Sequence, residues 1–214
     1  MRIASIERSG QGGKFKLVFE DGSAFVVRKE VLVDFGLRRN DDLSSEQIGR
    51  IQDAQNFTEG YLSAVRLLNY RMRTASELSG RLRKKGFQQE VIVRVLDKLG
   101  SFGLLDDSRF AEAFVATKTA SKPLGRRELE RRLREKGVSK ELAAAAVAGI
   151  GTDERQFELA CEAARSRMRS MQSLDLSKRR ERLAAFLARR GFEWNTISKV
   201  LRKILKDDDD AVDI

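Results

Sequence analysis

The sequence predicts a mainly α-helical protein, in which a small N-terminal β-meander precedes three tandem three-helix repeats that form an elongated, curved body. Composition is the first observation behind this class. The 214 residues are 41% hydrophobic and 35% charged and include one proline, a balance typical of helical globular chains. Self-similarity is the second observation. From residue 58 onward, a helical pattern occurs three times at offsets of 51 and 54 residues, as in repeat architectures.

The N-terminal segment predicts three strands and two helices. Runs rich in β-branched and aromatic residues occur at 2–6, 14–19 and 23–27, which is a strand pattern. The turn residues Glu20-Asp21-Gly22 join the second run to the third as a hairpin. A short helix follows from Lys29 to Phe35 and stops at Gly36, and a longer helix capped at Ser44 or Ser45 begins the helical part.

The most clearly repeated pattern is a helix that ends in a basic residue, a glycine and an apolar residue. It occurs as Lys85-Gly86-Phe87, Lys136-Gly137-Val138 and Arg190-Gly191-Phe192. A cation in the last turn complements the helix dipole, and glycine readily takes the left-handed conformation that follows it. We therefore interpret the triplet as a helix C-cap and not as a binding site.

Two further motifs also have a structural interpretation. Thr74 and Glu77 have the spacing of a capping box at the start of the first of these helices. At the junction between the first two repeats, Asp106 is placed to cap the next helix and Asp107 to complement its dipole. A metal site at this junction would need further acidic ligands, which the sequence does not place there.

An amphipathic helix precedes and follows each repeated unit, so that three helices make one repeat. A unit of about 50 residues is near the lower limit for a self-sufficient core, so we expect neighbouring repeats to share contacts. The predicted organisation is a β-containing segment with a connecting helix at 1–57, repeats at 58–105, 106–151 and 152–206, and an acidic disordered tail at 207–214.

The positive charge is concentrated in the repeats. Residues 1–57 are neutral overall, residues 58–206 carry a net charge of +15, and the last eight residues carry −5. Of the 33 cations in the repeats, 22 are arginines, whose planar guanidinium suits phosphate and carboxylate groups. This distribution predicts a partner with a phosphate backbone. An anionic membrane would also attract it, but the helices lack the broad apolar face of interfacial helices.

Arginines recur on the outward faces of the repeat helices. With Leu129 and Leu133 facing the core, the turn of about 100° per residue places Arg127, Arg131 and Arg134 together on the opposite side. The full set predicted to contact nucleic acid or a nucleoprotein filament is Arg71, Arg73, Arg83, Lys84, Arg127, Arg131, Arg134, Arg182 and Arg189.

The composition argues against an enzyme. The chain has no histidine and one cysteine, so the commonest general base and metal ligand is missing. Phosphate-loop, dinucleotide-binding and nucleophile-elbow motifs do not occur either. We predict no catalytic activity, cofactor or metal, and a buried thiol at Cys161. The sequence shows no signal peptide or transmembrane run, so a cytoplasmic location is expected.

These motifs resemble those of the RecX regulatory proteins of bacteria. The resemblance spans about residues 58–205, and the N-terminal β-type runs also resemble a segment that many members carry. The residues that carry it are Tyr70-Arg71-Met72-Arg73-Thr74, Glu77-Leu78, Leu82, Lys85-Gly86-Phe87, Gly103-Leu104-Leu105-Asp106-Asp107, Phe110-Ala111, Gly125, Glu128-Leu129, Lys136-Gly137-Val138 and Arg189-Arg190-Gly191-Phe192. The chain departs from the family in having Met72 where proline is frequent and Thr74 where serine is usual.

The resemblance implies a modulator of the RecA recombinase in DNA repair, homologous recombination and the SOS response. Such a protein lies in the groove of the RecA–single-stranded DNA filament and impedes strand exchange, ATP turnover and filament growth. The partners implied are the RecA filament, single-stranded DNA and, more weakly, duplex DNA, without a membrane, and we expect a monomer.

Two alternatives remain open at the level of sequence. A three-helix unit can hold a helix-turn-helix, so the chain could be a stand-alone DNA-binding regulator. The absence of an evident dimerisation helix in the sequence makes operator recognition less favoured. The other alternative is a scaffold that binds acidic proteins only.

Overall fold

The structure is a computed structural model that describes residues 1–10 and 12–209, with side chains up to residue 205. These residues form three strands and ten helices. The strands are β1 (Ile3–Arg8), β2 (Lys14–Phe19) and β3 (Ala24–Arg28). The helices are α1 (Lys29–Asp34), α2 (Ser45–Tyr70), α3 (Ala75–Lys84), α4 (Gln89–Ser101), α5 (Asp107–Ser121), α6 (Arg126–Glu135), α7 (Lys140–Ala148), α8 (Asp153–Met168), α9 (Leu176–Arg189) and α10 (Trp194–Asp209).

The predicted fold class is confirmed in its elements, a small N-terminal sheet followed by helices. Helix α10 continues to Asp209, so residues 207–209 of the predicted acidic tail are helical. Residues 210–214 of that tail lie outside the described residues. The chain divides into two compact units, one made of Met1–Met72 with Leu78–Leu105, the other of Arg73–Glu77 with the chain from Asp106 onward.

The sheet in the first unit is an antiparallel meander in the order β1-β2-β3. Ile3 pairs with Phe19 between β1 and β2, and Lys14 pairs with Arg28 between β2 and β3. Alternation places Leu17, Phe19 and Val27 on the buried face, where they pack with α1 and the start of α2. The predicted hairpin, the short helix and the cap at Ser44 are all confirmed, and Ser44 forms a capping box with Gln47.

Helix α2 is continuous over 26 residues and joins the sheet to the first repeat. Ile51 belongs to the core beneath the sheet, whereas Ala64 belongs to the core that α2 forms with α3 and α4. Gly60 allows α4 to approach closely, because a Cβ there would lie 3.3 Å from both Val91 and Val95. The connecting helix and the first helix of the first repeat are therefore one element.

The basic-glycine-apolar triplet ends its helix in the same way in all three repeats. Gly86, Gly137 and Gly191 have φ values of +90°, +81° and +82°. The N–H of the glycine bonds to the carbonyl three residues earlier, and the next N–H bonds to the carbonyl five residues earlier. This pair of bonds is the Schellman motif, and it confirms the C-cap interpretation.

In the second unit, α5–α7 and α8–α10 each surround a core of their own, and a tight joint connects α9 to α6. The Gly125 N–H donates to the Arg190 carbonyl at 2.8 Å. A Cβ on Gly125 would collide with the Gly191 carbonyl, and one on Gly191 would collide with the Glu128 backbone. Because backbone meets backbone here, both positions require glycine.

A related joint connects the end of α6 to the first turn of α3, which belongs to the same compact unit. The Thr74 hydroxyl donates to the Lys136 carbonyl at 2.6 Å and accepts the Glu77 N–H at 3.1 Å, as a cap should. The Ala75 N–H donates to the Asp107 carboxylate at 2.8 Å. Asp107 therefore caps α3 from the following repeat, a role that its sequence position alone does not reveal.

Candidate nucleic-acid interface

Eight of the nine cations predicted to face a nucleic-acid partner are exposed. They lie at the ends and on the outer faces of α2, α3, α6 and α9. The exposed members are Arg71, Arg83, Lys84, Arg127, Arg131, Arg134, Arg182 and Arg189.

Arg73 is the exception, and its predicted outward position is wrong. Its side chain is 5% exposed and forms a salt bridge of 2.5 Å with Glu77, one helical turn further on. The pair lies at the joint beside Thr74, where the chain enters α3. An acidic residue at i+4 was the sequence signal for this intramolecular partner, and Arg73 is not available to an external phosphate.

The three arginines predicted to cluster on α6 do lie together. Arg127, Arg131 and Arg134 line one shallow concave surface, which they share with Glu130 and Glu135. The helical spacing was therefore a sufficient guide to their position. It did not show that carboxylates are interleaved with them on the same surface.

Two of these three arginines are held by carboxylates, of which Glu135 alone belongs to the same concave surface. Arg131 forms salt bridges with Glu128 at 2.7 Å and with Glu135. Arg127 forms one with Glu193 at 3.3 Å, and both arginines are well exposed at these contacts. Ion pairs exposed on both sides, as those with Glu193 and Glu135 are, are worth about 0–1 kcal/mol, so a phosphate group can replace either carboxylate.

Glu128 organises the arginine face of α6, although sequence reasoning did not assign it this role. Its side chain is 10% exposed and binds both Arg131 and Arg132. The hydrogen bond from Arg131, followed by that from Arg132, outweighs burial and lowers the pKa of Glu128 to about 2. The spacings of three and four residues are those of helical ion pairs and were the signal that could have revealed it.

The side chains of four cations in the predicted set form no hydrogen bond or salt bridge with another described residue. They are Lys84, Arg134, Arg182 and Arg189. Arg83 donates to Gln89 at 2.9 Å, and Arg71 donates to the Met72 carbonyl at 3.1 Å. The four side chains can meet a phosphate without first leaving an internal carboxylate.

Two of the three cations of the C-cap triplets make internal side-chain contacts. Lys85 donates to the Ser63 hydroxyl at 2.9 Å, and Arg190 donates to the Pro123 carbonyl at 2.9 Å. These contacts agree with the structural interpretation of the triplets. Cys161 is buried in the core of the third repeat, as predicted.

Two further features concern metal binding and membrane-spanning helices. Among residues 1–10 and 12–205, no three acidic or thiol side chains come together in a way that could hold a metal ion. In the same part of the chain, no helix is both long and apolar enough to cross a membrane.

The fold and the exposed cations define a class, that of helical-repeat proteins with a basic surface. The comparisons with known proteins define it more closely. Models of the first, second and third three-helix domains of RecX match residues 61–99, 106–147 and 153–201. The chain therefore belongs to the RecX family of regulatory proteins.

Individual relatives agree with this assignment. The chain is 30% identical to the regulatory protein RecX of Bacillus licheniformis over 94% of its length and 76% of the relative. It is 40% identical to the regulatory protein RecX of Mycobacterium leprae over 64% of its length and 80% of the relative. A crystal structure of regulatory protein RecX superimposes with a TM-score of 0.76 at 26% identity, covering 96% of this chain and 98% of the other.

Proposed function

We propose that this protein binds the RecA–single-stranded DNA filament and modulates it, mainly by inhibiting strand exchange, ATP turnover and filament growth. The observation that carries the proposal is the match of all three repeats to the RecX domains. The protein acts as a cytoplasmic monomer in recombination and DNA repair. It works by occupying the groove of the filament and not by chemistry.

The charge and exposure of the repeats support a filament partner. Residues 58–206 carry a net charge of +15, and a filament groove offers phosphates together with acidic protein surface. Guanidinium groups bind both kinds of partner through two parallel hydrogen bonds. We place the primary contacts at the four cations without internal partners, Lys84, Arg134, Arg182 and Arg189.

Arg127 and Arg131 join the interface only after their internal salt bridges open. Glu128 keeps Arg131 near the helix surface in the unbound protein. The pairs with Glu193 and Glu135 are exposed, weak and screened by salt, so exchanging these carboxylates for a phosphate costs little. The pair of Arg131 with the buried Glu128 costs more to open. The paired arginines therefore act as a secondary set that adds to the contacts made by the four unpaired cations.

Parallel binding measurements test the proposal. Single-stranded DNA, duplex DNA and an ATP-loaded RecA filament are compared as ligands at two salt concentrations, and strand exchange is followed in the same buffers. We expect binding to decrease in the order filament, single strand, duplex, with weak and salt-sensitive binding to bare DNA. Preference for one duplex sequence by several kcal/mol over random DNA would instead favour a helix-turn-helix regulator.

A matched pair of double variants tests whether the cations of α9 belong to the filament interface. Arg182→Gln with Arg189→Gln removes two unpaired cations of α9, and we expect weaker inhibition of strand exchange. Arg38→Gln with Arg39→Gln removes the same charge from the neutral N-terminal segment and should leave inhibition unchanged. Equal inhibition by both double variants would contradict the assignment of α9 to the interface.

A further inference from the structure

A second group of cations lines a cavity, and none of its residues belongs to the set described above. The cavity measures about 530 Å³ and lies between the end of α5, α8 and α9, a volume within the range of small-ligand sites. It is lined by Ser121, Lys122, Pro123, Glu162, Ala163, Ser166, Arg167, Ser170, Phe186 and Arg190. Three of these residues are cations and one is a carboxylate.

Phe186 orients two of the three cations. The guanidinium of Arg190 lies 4.6 Å from the centre of the ring, and that of Arg167 lies 5.7 Å from it. Arg190 is fixed further by its hydrogen bond to the Pro123 carbonyl, and Arg167 donates to the Ser170 hydroxyl at 3.2 Å. Two guanidinium groups are thus held against one aromatic ring, an arrangement that limits their motion.

None of the three cations has a carboxylate partner among the described residues. Glu162 lies in the wall of the cavity but forms no salt bridge with them or with any other described residue. Burial, with the nearby charge of Arg132, lowers the pKa of Arg190. A half-buried guanidinium without a counter-ion has more to gain from an external anion than an exposed one.

We propose that this cavity is a binding site for a phosphate group, held by Lys122, Arg167 and Arg190 with the Ser166 hydroxyl as a further donor. Guanidinium forks and hydroxyls are the donors that phosphate oxygens prefer. The phosphate belongs either to a free phosphate compound or to the backbone of a nucleic-acid strand. The site goes beyond filament binding, because none of its cations is among those placed at the filament interface.

Arg167→Gln is the test variant, because Arg167 is exposed and lies outside the joint that Arg190 helps to form. Arg165→Gln is its matched control, since Arg165 is exposed on the same helix and does not line the cavity. Binding of inorganic phosphate is measured by titration calorimetry at constant ionic strength in chloride. We expect wild type and Arg165→Gln to bind alike and Arg167→Gln to bind at least about tenfold more weakly, the scale of one charge-assisted contact.

Lys122→Gln provides a second test if Arg167→Gln melts earlier than wild type, because Lys122 is exposed and forms no salt bridge among the described residues. The same phosphate affinity in wild type, Arg167→Gln and Lys122→Gln would overturn the site. Phosphate binding no stronger than chloride binding would overturn it as well.

A competition arm identifies the source of the phosphate. Displacement of inorganic phosphate by a thymidine oligonucleotide would support a strand as the source, whereas phosphate binding without displacement would support a free phosphate compound. Strand exchange by RecA is measured with Arg167→Gln in parallel. Loss of phosphate binding with full inhibition of strand exchange would show that filament binding does not depend on the phosphate site. Failure of the phosphate-site proposal is therefore distinguishable from failure of the filament-binding proposal.

Discussion

Helices α6 and α9 occupy equivalent places in their repeats, yet they present their arginines differently. Each buries two leucines four residues apart, Leu129 with Leu133 and Leu183 with Leu187. The residue before the first leucine is Glu128 in α6 and Arg182 in α9. In α6 the glutamate holds Arg131 and Arg132, whereas Arg182 in α9 has no salt bridge among the described residues.

The difference shows that the number of arginines on a helix does not measure how many can bind a phosphate. Carboxylates at i−3 and i+4 engage Arg131 before any partner arrives, and binding must then exchange one ionic contact for another. A helix with fewer acidic neighbours presents its cations directly. Arg131 and Arg132 of α6 are therefore held by an internal carboxylate, whereas Arg182 and Arg189 of α9 are available to a partner.

The largest expected effect comes from the glycines that end these helices. Gly191→Ala places a methyl group against the backbone of Glu128 at a positive φ, so we expect a loss of about 3 kcal/mol or more in the free energy of unfolding. At the end of α6, Gly137→Ala meets the side chain of Ser76 and should cost somewhat less. Urea unfolding of the two variants measures the difference.

Gly86→Ala is the control for backbone strain alone. Its φ is +90°, but a Cβ there would have no neighbour within 4 Å, so a loss of about 1–2 kcal/mol is expected. If Gly191→Ala cost no more than Gly86→Ala, the joint between α9 and α6 would not be tightly packed.

The second-largest expected effect concerns Glu128, the carboxylate of α6 whose equivalent in α9 is Arg182. Glu128→Gln removes the charge that binds Arg131 and Arg132, and we expect a loss of about 1–2 kcal/mol at pH 7. Glu130→Gln, which affects the more exposed pair with Arg126, should cost less than about 0.5 kcal/mol. Equal losses in the two variants would show that Glu128 has no special structural role.

The pH dependence of stability provides an independent check on Glu128. Its pKa is about 2 in the folded protein and 4.5 in its ordinary state, so the unfolded chain takes up the proton first as the pH falls. The stabilisation is complete above about pH 4.5 and is lost between that pH and about 2. The wild type should lose more stability than Glu128→Gln over this interval in acid-unfolding measurements.

The smallest effect concerns the salt dependence of single-strand binding. Arg182→Gln removes an available cation, so the slope of log K against log salt should fall by about 0.7, the value for one phosphate contact. Arg131→Gln should change the slope less, because that arginine is already neutralised by Glu128 and Glu135. Equal changes in slope would mean that the distinction between held and available arginines has no consequence for binding.

Local patterns predicted the elements of the fold well. Strand alternation, turn glycines and the Ser44 cap depend on neighbours within a few residues. The common face of Arg127, Arg131 and Arg134 follows from the helical turn alone. What these patterns could not show is where helices from different repeats meet, because Asp107 caps α3 across 32 residues and Arg190 reaches Pro123 across 67.

The candidate site was predictable to the same extent. Exposure was correct for eight of the nine cations, since a polar residue opposite a leucine stripe faces solvent. The prediction for Arg73 was wrong because tertiary packing buries its side chain at the joint beside Thr74. The cavity of Arg167 and Arg190 was not predicted, because its walls combine the end of α5 with α8 and α9, which lie more than 40 residues further along the chain.

The continuity of α2 links the folding of the sheet to that of the first repeat. One apolar stretch of this helix covers the sheet at Ile51, and another fills the core beside α4 at Ala64. Loss of either core would leave half of a 26-residue helix without packing, and packing supplies most of the stability of a helix in water. A protease that cuts near residue 57 would divide this helix between its two cores, so we expect the cut to destabilise both of them.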